Sequence, residues 1–180
     1  METSYRHSTV SILLCAFVTL TCIGRGVSSL AQTNGGSYGE KTASIISKID
    51  AVAAKELRKA WHVSRNGSDG FEGLVLVYAT HDGLISVRFE GKSDEQKQFT
   101  FAWAANIIAV VHTHPNGVDP KPVGHDLRLA DRFGVPVFTI TQRGMYVYDP
   151  ETRRISMVQD GLDWLESSKW KLEHQAVVTK

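Results

Sequence analysis

Apolar residues at Ile45, Ile49, Val52, Leu57 and Trp61 recur at three- to five-residue steps, the spacing that gathers side chains on one face of a helix. The pattern predicts an amphipathic helix from about Thr42 to residue 62, closed by the turn-rich stretch "VSRNGSDG". The period then changes. "FEGLVLVYAT" and "LISVRFEG" are rich in aliphatic and β-branched residues, and Asp82-Gly83 between them is a hairpin signal. After the charged stretch "KSDEQK", "FTFAW" and "NIIAVV" read as further strand, with a break at Ala104-Ala105. "DLRLADRFG" returns to helical spacing and ends at Gly134, a residue suited to a left-handed C-terminal cap. "VPVFTIT", "GMYVYDP" and "RRISMV" predict three more strands, and "LDWLESSKWKLEH" predicts a closing helix with Asp160 or Asp163 as its cap. The order helix, strands, helix, strands, helix predicts a mixed α/β fold in which helices flank one central β-sheet.

The first thirty residues stand apart from this pattern. A short segment with Arg6 and His7 precedes the apolar run "VSILLCAFVTLTCIG", which is short for a membrane span. Ser29-Leu30-Ala31 then places small residues where a signal peptidase inspects the chain, so residues 1–31 are expected to be a cleaved secretory signal. Residues 32–40, "QTNGGSYGE", form a flexible leader, and 41–180 a single domain. An exported product, periplasmic or extracellular and without stable membrane insertion, is the expectation. Losing residues 1–31 removes Arg6, Arg25 and Glu2, which leaves 18 basic residues against 18 acidic ones. Nothing in a formally neutral chain suggests a nucleic-acid partner, which would want a basic face. Cys15 and Cys22 leave with the signal, so neither a disulfide nor a cysteine metal ligand is expected.

The chemistry concentrates in "HTHPNGVDPKPVGHD". On a strand, residues two apart share a side, so His112 and His114 project together while Thr113 faces away. Two buried imidazoles are costly unless something satisfies them, and a divalent metal such as zinc does so well. A third ligand has to come from another segment. Asp126 follows eleven intervening residues, 115–125, whose two glycines and three prolines allow the chain to fold back. It opens the "DLRLADRFG" helix, where the dipole tolerates an acid and a rigid element aims it. Three protein ligands would leave one tetrahedral position open, the arrangement of a catalytic zinc site. Each feature also has a plainer reading: a satisfied histidine pair, a helix N-cap aspartate and a Pro-Asn-Gly turn. His125 is an alternative ligand or a surface residue of the loop.

Taken together, His112-Thr113-His114-Pro115, the Pro/Gly loop and Pro122-Val123-Gly124-His125-Asp126 resemble the JAMM (MPN-plus) zinc metalloprotease superfamily, and most of all its bacterial secreted and toxin-associated members. The likeness spans roughly Glu72 to Pro150. It implies a JAMM/cytidine-deaminase-like sandwich, Zn2+ held by His112, His114 and Asp126, and an earlier-strand glutamate as general base. Glu72 is the preferred base and Glu90 its rival. The resemblance further implies a metal-activated water that attacks a peptide or isopeptide carbonyl, with a protein or peptide substrate such as a cell-wall cross-link. One position departs from the family's Ser-x-x-Asp signature, because Val123 stands where the serine would be. In relatives that hydroxyl helps to stabilise the oxyanion, and losing such a donor costs roughly 10²–10³ in rate. The alternatives are a catalytically impaired binding or scaffold module and a toxin- or effector-associated domain. Because zinc ligation needs neutral imidazoles, affinity and activity are expected to fall below about pH 6.

Overall fold

The computed structural model describes residues 38–68, 70–94 and 97–166. The expected signal at 1–31 and most of the leader lie outside these residues, as does the closing helix beyond Glu166. None of the described helices is long and apolar enough to cross a membrane.

The long N-terminal helix of the sequence reading is two helices, α1 (Glu40–Ser47) and α2 (Ala51–Val63). Asp50 separates them. Its carboxylate accepts the Val52 and Ala53 amides at 2.9 Å each, which restarts the chain as a capped helix. The break also turns Val52 out to solvent, 68% exposed, although a continuous helix would have buried it. The last residues of the leader are fixed rather than free: the Gly39 amide donates to the Asp149 carboxylate and the Tyr38 hydroxyl to the Met157 carbonyl.

Six strands follow: β1 (Gly73–Ala79), β2 (Ile85–Lys92), β3 (Ile107–Thr113), β4 (Val137–Thr141), β5 (Gly144–Asp149) and β6 (Arg154–Asp160). They form one sheet in the order β2-β1-β3-β4-β5-β6. Only β3 and β4 run parallel, joined through the crossover helix α3 (Gly124–Phe133). The hairpin expected at Asp82-Gly83 joins β1 to β2, with Gly83 at φ +77°. The mixed α/β class, a central sheet flanked by helices, is as expected.

Alternate residues of the strands feed two cores. Val75, Val77, Val111, Phe138 and Ile140 pack beneath α1 and α2, against Leu57 and Trp61. Leu74, Leu76, Val110 and Val137 face the other way, under α3 and the aromatic segment Phe99–Trp103. That segment was expected to be strand, yet it joins no ladder among the described residues. Its alternation is real: Phe99, Phe101 and Trp103 are half-buried while Thr100 and Ala102 are exposed. It lies over the sheet face as a cover, so its side chains follow the strand period without strand pairing. After β6 the chain makes a short 3-10 turn, Asp163–Leu165, which follows Leu162 without a side-chain cap.

β1 begins where α2 comes closest. A Cβ on Gly73 would sit 2.3 Å from the Ala60 carbonyl oxygen, so only glycine allows this approach. The Gly73 amide donates to the Thr113 hydroxyl at 2.8 Å, which ties the start of β1 to the end of β3. The preceding residue, Glu72, is thereby held beside the end of β3.

Candidate metal centre

His112 and His114 sit at the carboxyl end of β3 on the side facing α3, and Thr113 points to the opposite side, as the strand period requires. The His114 amide continues the parallel ladder by donating to Ile140 at 3.0 Å. The loop then folds back. The Thr139 hydroxyl holds the Pro120 carbonyl at 2.6 Å, and Asn116 is anchored to Gly67 at 2.7 Å. Asp126 therefore enters α3 directly opposite the two rings.

The three side chains meet. His112 Nε2 and His114 Nε2 are 3.0 Å apart. Asp126 Oδ1 is 3.4 Å from His112 Nε2, and Oδ2 is 3.9 Å from His114 Nε2. One ligand atom from each residue lies within 4.8 Å of the others, and all three residues are buried. Zinc bonds of about 2.0–2.2 Å at tetrahedral angles place ligand atoms about 3.3–3.6 Å apart, so the donor set fits a metal with little adjustment.

The surroundings orient each donor. His114 Nδ1 lies 2.8 Å from the Asp119 carbonyl oxygen, which can only accept, so Nδ1 carries the proton and Nε2 presents its lone pair to the centre. Asp126 Oδ2 accepts the Val123 amide at 2.8 Å, which fixes the carboxylate and leaves Oδ1 toward His112. This is half of a capping box. Val123 occupies the N-cap of α3 and has no oxygen with which to complete the other half. Phe99 meets the His112 ring edge-on, with centroids 6.4 Å apart.

Burial sets the protonation states. It pulls the His112 imidazole down to about 4, against the opposing charge of Asp126, and it lowers His114 as well, against the bond to Asp119. Both rings are therefore neutral at pH 7. The Asp126 carboxylate contacts the Val123 amide and three imidazoles, none of which offsets a buried negative charge as a divalent cation would.

Comparison with family models, curated proteins and solved structures finds no match to this chain. What the site can do has to be read from its own geometry.

Glu72 is buried and shares with His112 and Asp126 a cavity of about 580 Å³. Its position is doubly fixed, since its amide donates to the Ser93 hydroxyl at 3.0 Å and its carbonyl accepts the Ser93 amide at 2.8 Å. Burial raises its carboxyl to about 7; the Lys97 ammonium opposes this and the Asp126 charge adds to it. Glu90 is placed differently. It lies on β2, bonded to the Arg88 guanidinium at 3.0 Å and the Tyr78 hydroxyl at 3.2 Å, in a neighbouring hollow of about 420 Å³. His125, the alternative ligand, is largely exposed and reaches Asp126 Oδ1 from outside at 3.2 Å. Sequence reasoning missed Ser93, Asp119 and Lys97. Each acts on the site through a backbone group or from a distance, which leaves no spacing to recognise.

Proposed function

We propose that the chain is a zinc-dependent metallopeptidase of the JAMM/MPN-plus type that hydrolyses peptide or isopeptide bonds. The carrying observation is the convergence of His112, His114 and Asp126 within 4.8 Å, with the Glu72 carboxyl in the same cavity. His112 and His114 would hold the metal through Nε2 and Asp126 through its carboxylate. Bound zinc would supply Lewis acidity, acidifying a water and polarising the carbonyl under attack.

Glu72 performs the proton work. It takes a proton from water as the new C–O bond forms, and returns it to the nitrogen as the C–N bond breaks. Burial raises this carboxyl to about 7 in the metal-free chain and a bound cation would draw it down, so its base form is available at pH 7. Leu74, Phe99 and Phe101 form the apolar side of that cavity. Val123 contributes no hydroxyl toward the oxyanion, so the rate is expected to lie below that of a serine-bearing site.

The same valine favours a second reading, an impaired scaffold module. Against it stands the intact set of three ligands with the hydrogen bonds that orient them.

The test is cleavage. Zinc-loaded protein, offered a panel of isopeptide-linked and cell-wall cross-link peptides, should hydrolyse at least one and lose that activity to a chelator. Glu72→Gln should lower kcat by roughly 10²–10⁴ and Glu90→Gln by no more than a few-fold. Chelator-resistant cleavage, or a fully active Glu72→Gln, would exclude this mechanism.

A further inference from the structure

We propose that the cavity beside the metal ligands is a specificity pocket for a bulky apolar side chain, of leucine or phenylalanine size, next to the amide that is cut. The proposal rests on the metallopeptidase reading and supplies the substrate class that reading leaves open.

Val110 precedes His112 by two residues on the same face of β3, so it lies about 6.6 Å back along the strand. Leu129 follows Asp126 by three residues, on the same face of α3 and about 4.5 Å along its axis. Strand and crossover helix run in opposite senses, so both steps lead away from the ligands in the same direction. Val137 pairs with Val110 across the parallel β3–β4 ladder, and Leu74 pairs with His112 across β1–β3. Phe99 and Phe101 complete the wall from the covering segment. The result is a cleft with Glu72, His112 and Asp126 toward one end and apolar atoms toward the other.

Its chemistry selects the occupant. The volume of about 580 Å³ falls within the 300–1,000 Å³ of ordinary ligand pockets. Phe99, Phe101 and Leu129 are only half-buried, so a side chain entering between them removes apolar surface from water. No charged group lines the apolar end, which leaves a buried acid or base unpaired there. Lys97 and Gln98 sit exposed at the mouth, where Lys97 disfavours a basic side chain. Glycine would leave the cleft hydrated and gain nothing from it.

Amino-acid hydroxamates test this without turnover, because the hydroxamate chelates a metal that has an open position while the side chain probes the cleft. Affinities of glycine, leucine and phenylalanine hydroxamates are measured by calorimetry on zinc-loaded, dialysed protein. The leucine and phenylalanine compounds should bind roughly 10- to 100-fold more tightly than the glycine compound. Leu129→Trp sets a larger ring into the apolar wall and should shrink the difference with zinc content unchanged. Phe101→Ala opens one wall and should shrink the difference, which decides the matter if the tryptophan variant fails to fold. Equal affinity for the glycine and phenylalanine compounds would overturn the pocket and leave the metallopeptidase reading standing. Failure of the zinc-loaded protein to bind any hydroxamate would overturn both.

Discussion

A carboxyl group buried like that of Glu72 holds its proton to about pH 7 in the folded chain and to its ordinary value of 4.5 in the unfolded one. Between those values the folded state binds more protons, so stability is lost as pH rises through this window. Glutamine mimics the protonated acid. In chelated protein, Glu72→Gln should match the wild type in melting temperature at pH 4.5 and exceed it at pH 8, as a thermal melt at each pH will show. The histidines work in the opposite sense. His112 is depressed from 6.5 to about 4, so its contribution to stability is present above pH 6.5 and lost as pH falls toward 4. Burial favours the neutral rings further into acid than for an exposed imidazole, so ligation is expected to persist below pH 6. Zinc affinity, followed by competition with a chromophoric chelator, should hold through pH 6 and collapse toward pH 4. Loss centred near 6.5 would mean that burial does not protect the site. The convergence of the His-x-His pair with Asp126 was legible because strand period and loop length are sequence properties. The burial that tunes them was not, since it depends on Phe99 and α3 closing over the end of β3.

At the scale of the element, α3 carries Asp126, the third candidate ligand, on an incomplete cap. A hydroxyl at residue 123 would give the first turn an acceptor while the Asp126 carboxylate keeps the Val123 amide. Val123→Ser should therefore stabilise the protein by about 1 kcal/mol, measured by denaturant unfolding. Under the proposed function it should also raise kcat. Gly73 makes the opposite case. A methyl group there meets the Ala60 carbonyl at 2.3 Å, so Gly73→Ala should cost about 3 kcal/mol and disturb Glu72, its neighbour in sequence. Strands β1 to β6 and α3 could be read from period and turn residues. The α1–α2 break was signalled by Asp50 ahead of Ala51-Val52-Ala53, but the apolar spacing runs through it and hides the cap. The segment Phe99–Trp103 misleads for a different reason. Alternation reports which side chains turn inward, and it says nothing about whether the backbone finds a partner.

For the whole molecule, the candidate metal centre gathers parts that are distant in sequence: the end of β3, the start of α3 and, through the shared cavity, the approach to β1. Nothing in the spacing of residues 72 and 112 shows that they meet; the antiparallel β1–β3 pairing and the Gly73–Thr113 bond bring them together. A ligand that binds only the folded chain stabilises it by RT ln(1 + [L]/Kd), about 2.7 kcal/mol at a hundredfold excess over Kd. Zinc should accordingly raise the melting temperature, and a chelator should reverse the gain. The most direct test of the account is the zinc content of purified, dialysed protein beside that of Asp126→Ala. The account predicts about one equivalent per chain in the wild type, as three protein ligands to one ion require, and essentially none in the variant. A wild-type protein that retains no zinc, or a variant that retains as much, would contradict it.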